Sequence, residues 1–88
     1  MEKKIQIAIV GTDAATERMK RNVYEAVAFL ELFDKFDILR YNSTDELPAF
    51  KGSTEPLLVL EGQIKAAGVT PETRRIVNWM TTLLAQQD

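Results

Sequence analysis

The chain contains no cysteine and no histidine. The first absence excludes thiol–disulfide exchange, which needs a thiolate to attack a disulfide. It also removes disulfide staples and thiolate metal ligands. The second removes the commonest general base and the commonest metal ligand together. No stretch approaches the roughly 20 apolar residues of a membrane span. The apolar run Ile5 to Val10, behind the lysines of Met1-Glu2-Lys3-Lys4, is too short for a signal peptide, and polar residues follow it. Neither sign of charge dominates: 11 basic residues face 13 acidic ones, for a formal net charge of −2. That balance gives no electrostatic case for nucleic acid or for an anionic membrane. The expectation is a cytoplasmic protein with no cofactor and no metal.

What is present describes one globular domain over residues 1–88, with 45% hydrophobic and 27% charged residues. Ile5-Gln6-Ile7-Ala8-Ile9-Val10 is short, apolar and β-branched, and Gly11-Thr12-Asp13 punctuates it. This reads as a buried strand ending in a turn. Val23, Ala26, Val27, Leu30 and Phe33 then follow Met19 at offsets of 4, 7, 8, 11 and 14. One helical face results, which predicts a helix from about residue 14 to 33, capped by Asp13 or Thr12. Phe36 to Tyr41 reads as a second strand. Ser43 and Glu46 form a capping box that starts a short helical piece bracketed by Pro48 and Gly52. Pro56 to Leu60 is a third strand, and Glu61-Gly62 a two-residue turn into a fourth, Gln63 to Ala67. Thr70-Pro71 is an N-cap followed by a first-turn proline. Ile76, Trp79, Met80 and Leu83 mark the buried face of the last helix.

The fold class is therefore α/β: a four-stranded mixed sheet flanked by helices, in the order β-α-β-(short α)-β-β-α. The first three elements form a βαβ unit, and the last three a hairpin covered by a helix.

The same layout resembles the thioredoxin-like fold in its short form. The residues narrow the resemblance. Strand–Gly11-Thr12, then Met19, Asn22-Val23 and Glu25-Ala26-Val27, resemble the small redox-active-disulfide proteins of glutaredoxin-like type. Thr54-Glu55-Pro56 before Leu57 to Leu60, the turn Glu61-Gly62, and Ala67-Gly68 match that family's second half. The resemblance covers nearly the whole chain. Counted back from Met19 and Asn22, the family's CxxC cysteines fall on Asp13 and Thr16. A one-residue slip places them on Ala14 and Glu17, and neither register supplies a sulfur. The resemblance also implies a cis peptide bond before Pro56, with the preceding residue, Glu55, offering backbone groups to an extended peptide.

It thus implies a redox-inactive domain that binds a protein or peptide, or serves as a structural module. The binding face would comprise Asp13, Ala14, Ala15 and Thr16 with Thr54, Glu55 and Pro56. Two other classes stand beside this one. The former active-site loop could serve a non-thiol enzyme or small-ligand site, in which Asp13, Glu17 and Glu55 converge as paired carboxylates. Alternatively the chain is a homodimer or larger homo-oligomer that buries Phe29, Leu32 or Leu84, which lie off the main helical stripes, as does Val77. Trp79 is read as core. Arg18, Lys20 and Arg21, and likewise Arg74 and Arg75, are read as solvated faces.

Overall fold

A computed structural model describes residues 4–86. Met1 to Lys3, ahead of the apolar run too short for a signal peptide, lie outside the described residues, as do residues 87 and 88. Four strands, β1 (Ile5–Val10), β2 (Phe36–Tyr41), β3 (Leu57–Leu60) and β4 (Gln63–Ala67), form one sheet in the order β2-β1-β3-β4. Strands β1 and β2 are parallel, as the intervening crossover helix requires, and the other pairings are antiparallel. The chain is thus an α/β protein with a mixed four-stranded sheet and two helices, α1 (Ala14–Leu30) and α2 (Thr73–Ala85).

Strand alternation decides which side each helix takes. Ile5, Ile7 and Ile9 of β1 and Leu58 and Leu60 of β3 point to one face. There they pack with Met19, Val23, Ala26 and Val27 of α1 and Ile76 and Met80 of α2. Val10, Leu57 and Val59 point to the other face. Two 3₁₀ turns, Thr44–Glu46 and Pro48–Phe50, sit between β2 and β3. The neighbouring Leu47 and Phe50 cover this second face, with Ala8 and Tyr41. Long helices therefore lie on one side and short turns on the other.

Local signals explain most boundaries. The box of Ser43 and Glu46 forms: the Ser43 hydroxyl accepts from the Asp45 N–H, and the Glu46 carboxylate accepts from the Ser43 N–H. Glu61 and Gly62 both take positive φ, 49° and 80°, which is the twist a two-residue antiparallel hairpin demands. In β4, Val59 pairs with Ile64 but Leu58 with Ala66, so Lys65 is the extra residue of a β-bulge on an edge strand.

Three expectations need correction. Helix α1 stops at Leu30, not near residue 33. Glu31 takes the left-handed conformation at φ 54°. Its N–H bonds to Ala28 O, and the Leu32 N–H bonds back to Val27 O at 3.2 Å. This C-terminal turn folds Leu32 onto the core and carries Phe33 off the stripe, leaving it 55% exposed. Helix α2 starts at Thr73, not at Pro71. The Thr70 hydroxyl is donated to Ala15 O, and Asn22 Nδ2 donates to Pro71 O at 2.9 Å, so residues 70–72 are held as a tie between the two helices. Strand β3 starts one residue late, at Leu57, because Pro56 has no N–H to donate. Trp79 is half-buried on α2 and packs at the margin of the core, together with Val77, Leu83 and Leu84.

Candidate functional site

The β1–β3 pairing ends at Val10 opposite Leu57. The chain leaves β1 into Gly11-Thr12-Asp13 at the same end of the sheet where Thr54-Glu55-Pro56 enters β3. The carboxyl ends of β1, β2 and β4 lie there too, and hydrogen bonds knit these loops. The Gly11 N–H bonds to Tyr41 O at 3.0 Å, and the Gly68 N–H to Pro56 O at 2.8 Å. The Glu55 carboxylate accepts from the Thr44 N–H at 3.1 Å. The Glu55–Pro56 peptide bond is cis.

At the head of α1 the bonds close inward. Asp13 is the N-cap: its Oδ1 accepts from the Thr16 N–H at 2.9 Å and from the Thr16 hydroxyl at 2.7 Å. These donors hold the Asp13 carboxyl below its ordinary value, the hydroxyl bond being the larger cause and the backbone bond the next. Thr16 is fully buried, although Asp13 is exposed. Gly11 explains the closeness. At φ 137° it lies in a region open essentially to glycine, and a Cβ there would sit 2.2 Å from Thr16 Oγ1. From β2, Arg40 reaches over the loop. Its Nη1 donates to Gly11 O at 2.6 Å, and its Nη2 pairs with the Glu17 carboxylate.

The structure brings Asp13 to Thr16 and Thr54 to Pro56 to one end of the sheet, but they do not present equally. Asp13, Ala14, Thr54 and Glu55 are exposed, and Ala15 is half-buried. Thr16 and Pro56 are buried and offer no side-chain surface. The three carboxylates do not converge: Asp13 is taken by Thr16, Glu17 by Arg40 and Glu55 by the Thr44 N–H. Among the described residues no group of three carboxylates is placed to hold a metal ion.

No sequence signal assigns a role to Arg40. Nothing in Ile38-Leu39-Arg40-Tyr41 signals that this arginine reaches the β1 loop, because the contact exists only once β2 lies beside β1. The expectation of a plain solvated face for Arg74 and Arg75 also needs refinement. They line a groove of about 600 Å³ between β4 and α2, with Lys65, Val69, Asn78 and Trp79. The Arg75 guanidinium stands 6.0 Å over the Trp79 ring. Spacing could have hinted at this, since Arg75 and Trp79 are four apart on one helix.

Fold and loop geometry together define an α/β domain with its loop cluster at the carboxyl ends of two parallel strands. No protein-family model matches the chain, and no curated protein matches it. Among the described residues, no helix is long and apolar enough to cross a membrane.

Proposed function

We propose that the chain is a redox-inactive thioredoxin-like domain that binds an extended protein segment across this loop end. One observation carries the reading: the sheet register sets the Gly11-Thr12-Asp13 loop beside Thr54-Glu55-Pro56. Those are the segments the resemblance assigns to the former dithiol and to the peptide-contacting proline. The strand order and the βαβ and ββα units agree with it. Open α/β sheets also place ligands outside the carboxyl ends of their strands. The exposed contributors are Asp13, Ala14, Thr54 and Glu55. Thr16 and Pro56 support the surface from beneath.

An acid–base enzyme at this loop is the weaker reading. A general acid near neutral pH needs a raised carboxyl, and that of Asp13 is lowered. The oligomer reading narrows to Phe29, 76% exposed, because Leu32 and Leu84 pack against the core.

Two experiments test the proposal. The first concerns the family register. Asp13 Oδ1 and Thr16 Oγ1 lie 2.7 Å apart, so the side chains already meet. Asp13→Cys with Thr16→Cys should close a disulfide under mild oxidant, and Ala14→Cys with Glu17→Cys should not. The reverse result moves the former dithiol by one residue. The second concerns the surface. Peptides selected against the folded chain from a random display library should shift the amide resonances of residues 13–15 and 54–55. Ala14→Arg should weaken them. Selected peptides that shift only other faces would sink the reading.

A further inference from the structure

We infer that the groove between β4 and α2 is a second binding site, built for an acidic peptide segment. It lies away from the loop end discussed above and does not rest on that reading. On α2, Arg74 and Asn78 form one i, i+4 column and Arg75 and Trp79 another, so two adjacent columns make one wall. Lys65, Ala66 and Val69 to Pro71 make the opposite wall. The lining holds three cations, Lys65, Arg74 and Arg75, against one carboxylate, Glu72. In a chain of net charge −2 this excess is local. Among the described residues none of the three cations has a carboxylate partner, unlike Arg40, which pairs with Glu17. Apolar surface sits between the charges: Val69 is 62% exposed and Trp79 half-exposed.

Carboxylates flanking an apolar side chain satisfy this lining. Arginine forks bind carboxylates bidentately, and the apolar surface of Trp79 and Val69 on the facing walls takes an apolar group. Nucleic acid fits less well, because Arg75 already covers one face of the ring. Three cations also make no track along a phosphate backbone. Strand addition is disfavoured as the binding mode, since Lys65 and its bulge blunt the β4 edge. The ligand is held by side chains.

Trp79 is the single tryptophan of the chain, which supplies a reporter. The probe is a blocked heptapeptide of glutamates around a central leucine. The peptide should shift Trp79 emission and the indole N–H resonance saturably, with a Kd of about 1 mM or tighter. Its glutamine counterpart should do neither. Lys65→Gln with Arg74→Gln leaves the Arg75–Trp79 pair intact and should weaken binding about tenfold, as loss of charge-assisted bonds predicts. Arg74 is exposed and Lys65 half-buried, and far-UV circular dichroism verifies the fold. Four results would each overturn the assignment: no response to the glutamate peptide, equal response to the glutamine peptide, equal affinity for inorganic phosphate, or self-association that the double variant abolishes.

Discussion

The two long helices begin in opposite ways. At the head of α1, the charged side chains find partners inside the molecule: Asp13 accepts from Thr16, and Arg40 donates to Gly11 O and pairs with Glu17. At the head of α2, Glu72 occupies the N-cap position with backbone angles suited to capping, φ −72° and ψ 153°, yet makes no side-chain cap. Three cations beside it lack carboxylate partners among the described residues. The first site is tightly specified and inward-looking. The second leaves charge and aromatic surface open. The closed side chains fix the shape of the α1 loop while leaving Asp13 and Ala14 exposed on it; the open ones at α2 keep their charge available to a ligand.

The largest effect should come from the closed end. Gly11→Ala must place a Cβ 2.2 Å from Thr16 Oγ1 at φ 137°. Backbone strain and overpacking together should cost about 3 kcal/mol or more. Gly62→Ala is the contrast: it also has positive φ, at 80°, but nothing lies within 4 Å. It should cost about 1 kcal/mol in chemical denaturation. Combining Gly11→Ala with Thr16→Ala removes the clashing hydroxyl and leaves the strained φ. The pair should then be less destabilising than the sum by about 1 kcal/mol or more. Simple additivity would mean that the loop and Thr16 are not packed as described.

Next in size is Thr16→Val, which keeps the buried volume and deletes the hydroxyl that donates to Asp13 Oδ1. It should cost about 1 kcal/mol by urea unfolding, the net worth of one hydrogen bond. A neutral result would dissolve the contrast between the two helix starts.

The legible parts of the molecule are those written in neighbouring residues. Strands β1, β2 and β4 lie where Ile5–Val10, Phe36–Tyr41 and Gln63–Ala67 place them. Asp13 caps α1, and Ser43 boxes with Glu46, because each signal acts over three residues. What escaped depends on contacts between distant segments. Helix α1 ends on a left-handed Glu31, where a glycine would have been the visible stop signal. Thr70 has the chemistry of a cap, but Ala15 O claims its hydroxyl from 55 positions away. Arg40 and the β4–α2 groove are properties of the assembled sheet. The candidate loop was legible as a place. Which of its residues face outward was not, since Thr16 is buried by the same turn that exposes Asp13 and Ala14.

Acid should separate the two helix starts. The folded-state carboxyl of Asp13 lies below its ordinary value of 3.8, because Thr16 donates to the charged form. A depressed group contributes stability that is fully present above the unfolded-state value and lost as pH falls through the folded one. Asp13→Asn removes that titration. The melting-temperature gap between the native chain and Asp13→Asn should therefore be constant at neutral pH and narrow once pH drops below about 4. A gap unchanged down to pH 2 would mean that the Thr16 donors do not favour the carboxylate.

The smallest effect is a reciprocal exchange. Aspartate reaches its own helix's N–H groups, whereas glutamate carries one methylene too many to close the same ring. Asp13→Glu should therefore lower the melting temperature. Glu72→Asp keeps the charge at α2, shortens the side chain and should add about 0.5–1 kcal/mol by supplying the missing cap. Because the charge is kept, affinity for the glutamate peptide should stay within about twofold of the native chain, less than 0.5 kcal/mol. If Glu72→Asp stabilises α2 and leaves the peptide bound, the open helix start is a feature of stability alone and the groove works through its cations. If capping Glu72 instead abolishes binding, the free N–H groups of the first turn are themselves part of the acidic-peptide site, and openness there is what the groove requires.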